Sequence, residues 1–208
     1  MSAASTKPTF FKERIFPILF MLIVTIVFIT VVSSVYLATQ GTVKLNETLF
    51  LKRAVLSAAN ITIPQSGTEV DKVYRSRIQE VKGPDGAPKY YKVLGEAGSD
   101  VSGYVVYGSG PGLWGTIQAV IGFNKGLDQL TGVDFIKQQE TPGLGARIAE
   151  PWFRTQFRGK SGPFSMVREG EKSDAHQFDA ITGATITSTA VRDIVNSTEQ
   201  NIRSIISN

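Results

Sequence analysis

Cysteine is absent from this chain of 208 residues, and histidine occurs once, as His176. Without thiolates the chain can ligate no iron–sulfur cluster and form no disulfide. One imidazole makes neither a two-histidine metal site nor bis-histidine haem ligation, so no metal is expected and His176 reads as a surface or loop residue. Any electron chemistry must then be carried by an organic cofactor taken from outside the chain. Charge is modest as well: 22 basic against 18 acidic residues leave a formal +4. The basic residues are dispersed rather than gathered in a stripe, so nucleic acid is not an expected partner. Neither a hydrolytic triad nor a paired-carboxylate arrangement stands out, and no catalytic residue is assigned.

Long hydrophobic runs are also few, but one is decisive. Ile15 to Leu37 carries no charge and is rich in Ile, Val, Phe and Leu; at helical rise it is about 35 Å long, enough to cross a bilayer. Pro17 falls in its first turn, where a missing N–H costs little. A cleaved signal peptide is the rival reading, yet the apolar core is too long for one and Val35-Tyr-Leu-Ala38 is a poor cleavage site. Lys7, Lys12 and Arg14 precede the run, whereas the first basic residue after it is Lys44. That bias predicts a cytoplasmic N-terminus at 1–14, a single transmembrane helix at 15–37 in the inner membrane, and a periplasmic or extracytoplasmic domain at 38–208. The span holds no ionisable residue, so it is not expected to conduct an ion by itself.

Beyond the span, Leu45 to Ala59 reads as a short helix with Leu49, Ala54, Val55 and Leu56 as core positions. Val73–Val81 and Tyr90–Leu94 flank Gly83-Pro-Asp-Gly86, a turn signal, and suggest a β-hairpin. Strands follow at Gly103–Tyr107, Thr116–Phe123 and Thr131–Ile136. Pro151–Phe157 reads as a helix opened by proline, with Trp152, Phe153 and Phe157 on its apolar face. The last helix spans about Thr187 to Ile206, with Val191, Ile194, Val195, Ile202, Ile205 and Ile206 in one stripe. The chain is thus predicted to be a membrane helix followed by a single α+β domain of about 165 residues, large enough for its own core.

Just ahead of that last helix, Asp179-Ala-Ile-Thr-Gly-Ala-Thr185-Ile-Thr187-Ser188 sets a hydroxyl on a turn of small residues. Gly183 permits a sharp turn, Ala184 leaves room above it, and Thr185 can present its hydroxyl where helix N–H groups would meet an anion. A phosphate could sit there or be bonded there; plain helix capping is the alternative that local composition leaves open. Gly110-Pro-Gly-Leu-Trp-Gly115 spells the dinucleotide fingerprint, but a strand rather than a helix follows it, so a hairpin bend is expected instead.

Asp179-x-x-Thr182-Gly183-Ala184-Thr185-x-Thr187 resembles the flavin-attachment sequence of the FMN-binding subunits of the Rnf and Nqr respiratory complexes. Upstream, Glu140-Thr-Pro-Gly-Leu-Gly145 looks like the loop that faces the flavin in the same family. The two segments stand in the family's order, about forty residues apart; the resemblance covers them closely and the rest of the soluble part loosely. It implies that FMN is esterified through its phosphate to Thr185, and that Asp179, Thr182, Gly183 and Ala184 are read by a separate flavin transferase that installs FMN from FAD. Ala180 departs from the glycine that many relatives carry. Beside that motif, Thr141 can hydrogen-bond a flavin ring edge and Leu144 can pack on its face, while a simple Pro-Gly turn is the plainer reading. Glu140 either orients the loop or approaches the flavin. Gly112-Leu-Trp114 is similar to a segment of the Nqr-type proteins, and Trp114 either stacks on the isoalloxazine or fills the core.

The implied function is that of an electron carrier within a membrane redox complex, with the other proteins of that complex and the bilayer as partners. The compact link between the motifs leans toward the G component of Rnf, which couples ferredoxin and NAD to ion translocation; Gly-Leu-Trp leans toward the C component of the sodium-translocating NADH:quinone oxidoreductase. Two further readings are a membrane-tethered binding module without flavin and a stand-alone flavin domain with its own substrate.

Overall fold

The computed structural model describes residues 14–84, 86–96, 98, 100–171 and 174–207; Lys7 and Lys12 lie outside them. The chain divides into two compact units, 1–47 and 48–208. Helix α1 (Phe16–Ala58) begins in the first, with Pro17 in its opening turn. Its apolar stretch has a mean hydropathy of 2.8 over 18 residues and no buried residue, a helix that is hydrophobic all round and long enough to cross a membrane. The hydroxyls of Thr25, Thr30, Ser34 and Thr39 each donate to a carbonyl one turn back, which satisfies them without water.

Two helices were expected where α1 runs unbroken. The intervening residues carry no proline, and Gly41 is a single glycine in an open position, a weakness of about 1 kcal/mol that does not stop a helix.

The second unit is built on an antiparallel meander whose strands stand in sequence order: β1 (Ile78–Lys82), β2 (Pro88–Leu94), β3 (Val101–Pro111), β4 (Thr116–Asn124) and β5 (Leu130–Lys137). Alternation along the strands supplies two cores, one on each face. Tyr91, Val105 and Val120 point to one; there they meet Ala54, Val55, Leu56 and Ala58 from the end of α1 and Val70 and Tyr74 from α2 (Gly67–Arg77). Tyr90, Val106 and Ile121 point to the other, against Val191, Ile194, Val195 and Ile202 of α4 (Thr185–Ser207). Gly108 and Gly110 let α4 lie close on β3, since a Cβ at either would come within 3.0 Å of α4 side chains. The α1 end is seated equally closely: Thr131 Oγ1 donates to the Ala58 carbonyl at 2.7 Å.

Val73–Val81 was expected to be one strand, and the structure corrects this. Val73 to Arg77 complete α2, and the strand starts at Ile78. Val70, Val73 and Tyr74 recur at helical spacing and pack beneath the sheet, and that packing decides the backbone over the β preference of Val and Tyr. In the turn before β2, Gly86 stands at φ +78° and its N–H donates to the Gly83 carbonyl at 3.0 Å; Asp85 lies outside the described residues. After β5 come a short 3₁₀ helix (Gly145–Ala149), α3 (Pro151–Thr155), and a small parallel pair, β6 (Ser165–Val167) and β7 (Gln177–Asp179). The helix opened by Pro151 is two residues shorter than expected, yet Phe153 and Phe157 are both fully buried.

Candidate functional site

Three loops converge at one end of α4: the β3–β4 bend, the segment after β5, and the turn that enters α4. In the first, Gly112 N–H donates to the Gly115 carbonyl at 2.8 Å and β4 starts at Thr116, so the glycine-rich stretch is a hairpin bend and opens no helix. In the second, Leu144 and Ala146 N–H both donate to the Thr141 carbonyl at 3.1 Å, with Pro142 next and Gly143 at φ +74°, the residue order of a type II turn. In the third, Ala184 N–H donates to the Ile181 carbonyl at 3.0 Å and Gly183 stands at φ +79°. The second and third turns touch: a Cβ on Gly183 would lie 3.2 Å from Leu144 Cδ2.

One carboxylate ties these loops together. Glu140 is 4% exposed; its Oε1 accepts the N–H groups of Leu113 at 2.9 Å and Trp114 at 3.2 Å, and its Oε2 accepts the Thr187 hydroxyl. Close approach needs glycine on both sides. A Cβ on Gly112 would come 2.5 Å from Glu140 Oε1, and one on Gly145 2.5 Å from Thr187 Oγ1. Trp114 Nε1 donates to Thr141 Oγ1 at 3.1 Å, and the indole is 67% exposed, which removes the core-filling reading.

Between the loops lies a cleft of about 300 Å³. Glu140, Thr141, Leu144, Gly183, Ala184, Thr185 and Thr187 line it, in keeping with the two sequence motifs; Leu113, Gly145 and Ile186 complete it. Thr185 is the first residue of α4 rather than part of the turn ahead of it. The Ala184 carbonyl accepts the first helical bond, from Ser188 N–H at 3.0 Å, so the amides of Thr185, Ile186 and Thr187 have no acceptor within the helix, and alanine at the cap offers them none. Thr185 is exposed, whereas Thr187 and Ser188 are 1% and 0% exposed. Ser188 Oγ accepts Ile181 N–H and donates to the Ala184 carbonyl, both at 3.0 Å, which locks the turn to the helix.

Asp179 and Thr182 stand apart from the cleft lining. Asp179 Oδ2 accepts Gly170 N–H at 2.9 Å, and Gln156 bridges its backbone N–H and carbonyl. Thr182 N–H donates to Glu169 Oε2 at 2.8 Å, and Glu169 Oε1 meets Arg147 Nη2 at 2.8 Å. The Arg147 guanidinium, followed by the Thr182 amide, pulls the Glu169 carboxyl down to about 2. Arg147 also stacks over Trp152, 5.1 Å from its ring centre. Neither Arg147 nor Glu169 was legible as a support: they are 22 residues apart, and no motif joins them. His176 is an exposed loop residue whose ring faces the Ser161 carbonyl.

Comparison with known proteins points to this same region. The FMN-binding domain family matches residues 112–199, which span all three loops and most of α4. The G component of the ion-translocating oxidoreductase complex of Methanosarcina acetivorans is 37% identical over 186 residues, covering 84% of this chain and 89% of the relative. The G component of the Na(+)-translocating ferredoxin:NAD(+) oxidoreductase complex of Acetobacterium woodii is 39% identical over 107 residues, half of each chain. Among solved structures, the C component of the Na(+)-translocating NADH-quinone reductase from Parabacteroides distasonis superposes with a TM-score of 0.64 at 26% identity, over 81% of this chain and 98% of that one.

Proposed function

The chain belongs to the family of FMN-binding proteins that includes the G component of the ion-translocating oxidoreductase complexes, and on that premise we propose that it carries FMN covalently on Thr185 and relays electrons within an Rnf-type complex coupled to ion translocation. The observation that carries the attachment reading is the position of Thr185. Its hydroxyl belongs to an exposed residue that both lines the cleft and opens a helix, while the hydroxyls of Thr187 and Ser188 are buried and committed to internal hydrogen bonds.

The residues present suit the group. A phosphodiester keeps one negative charge, and the first amides of α4, aligned with the positive end of its dipole, are free to receive it. Leu113, Leu144 and Ile186 are exposed apolar side chains around the cleft, fit to cover part of a planar ring; Thr141 and Trp114 hold one another at its edge. Bound FMN supplies reversible electron uptake, which a chain without cysteine cannot provide for itself. Asp179, Thr182, Gly183 and Ala184 shape the turn that a flavin transferase must read.

The apolar span supports a single-pass membrane protein, and Lys7, Lys12 and Arg14 ahead of it favour an N-terminus in the cytoplasm with residues 38–208 on the extracytoplasmic side; covalent attachment there would keep the cofactor from diffusing away. The C component of the sodium-translocating NADH:quinone oxidoreductase is the second reading, favoured by the fold match and by Gly112-Leu-Trp114. In-gel flavin fluorescence of the denatured chain, co-expressed with a flavin transferase, tests the carrier reading: a fluorescent band is expected, and a colourless one would return the chain to a tethered binding module. Copurification with a multi-cysteine ferredoxin-like protein is expected for Rnf.

A further inference from the structure

Among the described residues, Glu140 is the one charged side chain that lines the cleft. All its partners are donors, two backbone N–H groups and a hydroxyl, the pattern of an ionised carboxylate that accepts at both oxygens. None of the ion pairs among the described residues includes it; Arg147, seven positions on, is engaged with Glu150 and Glu169. Burying a charge without a cation is costly. As a clamp alone, a neutral glutamine would serve nearly as well, with its carbonyl toward the Leu113 and Trp114 amides and its amide group toward Thr187 Oγ1. What a glutamine would lack is the negative charge.

Resting on the reading of this cleft as the FMN site, we propose that Glu140 is a positioning residue with an electrostatic role. It fixes the Leu113–Trp114 bend against α4, and its negative charge, in none of the ion pairs among the described residues, lowers the reduction potential of a flavin held beside it. An electron delivered from a reductant, a partner protein in the complex or dithionite in the test, adds one negative charge to the cleft when no proton accompanies it. The fixed carboxylate opposes that addition. At an effective dielectric of ~20, a fixed charge within about 12 Å of the one added biases the one-electron equilibrium by about tenfold or more, and tenfold corresponds to ~59 mV.

The test uses the full chain in detergent after co-expression with a flavin transferase, as wild type, Glu140→Gln and Glu140→Asp. Intact mass first establishes the FMN adduct, and spectroelectrochemical titration then gives the potentials. Glu140→Gln is expected to move the potential upward by about a tenfold change in the equilibrium constant. Glu140→Asp keeps the negative charge while drawing it back from the Leu113–Trp114 bend, so a potential close to wild type is expected; a merely structural disturbance would raise it as Glu140→Gln does. An unchanged potential in Glu140→Gln would overturn the proposal. Should that variant fail to fold or to accept flavin, a potential raised about tenfold in equilibrium constant in Glu140→Asp would overturn it instead. Absence of adduct in the wild type would strike the FMN reading itself, a separate outcome.

Discussion

Glu169 accepts the backbone N–H of Thr182 at 2.8 Å, and through this bond a side chain 13 residues upstream holds the turn that delivers Thr185 to the cleft. The same carboxylate is paired with Arg147, so its charge is favoured in the folded state. With a folded value near 2 against an ordinary 4.5, its contribution is whole above about pH 4.5, fades as pH falls, and is gone below about pH 2. Thermal unfolding of wild type and Glu169→Gln from pH 6 to pH 2 checks this. The wild type is expected to lose its advantage over the variant across that window, and a constant gap would count against the pairing.

Steric demand separates two glycines in one loop. A Cβ at Gly145 would meet Thr187 Oγ1 at 2.5 Å and Glu140 Cβ at 2.9 Å, whereas one at Gly143 would meet nothing within 4 Å. Gly145→Ala is therefore expected to cost about 1–3 kcal/mol through overpacking. Gly143→Ala carries only the strain of its positive φ, about 1 kcal/mol. Denaturant unfolding of the two variants gives the order; equal losses would contradict the packing around Glu140.

The aromatic cluster behind the cleft bears on global stability. Phe157 is fully buried, 4.9 Å from the ring centre of Phe178 and 5.5 Å from that of Phe164. Phe157→Ala is expected to lose about 3–5 kcal/mol in chemical denaturation. A loss under about 1 kcal/mol, typical of surface positions, would mean that this cluster is not the core.

How much of this was legible depended on the range of the interaction. Strands β3 to β5 announced themselves through local alternation, and the α4 stripe through helical spacing; Val191, Ile194, Val195 and Ile202 are all buried as read, with Ile205 and Ile206 packed at the margin. Helix α2 was missed because Gly67–Arg77 shows only Val70, Val73 and Tyr74 as apolar positions, and the last two also suit a strand. The cleft residues came from two motifs, but not their connections. Glu140 reaches partners 27 and 47 residues away, and no local pattern encodes that Gly112 and Gly145 exist to let it through.

The most direct measurement is peptide mass mapping of the full chain after co-expression with a flavin transferase, in wild type and Thr185→Ala. One FMN phosphoester is predicted on the peptide containing Thr185 in the wild type, with no adduct anywhere in the variant. A wild type without adduct despite active transferase, or a variant flavinylated at Thr182 or Thr187, would contradict the account.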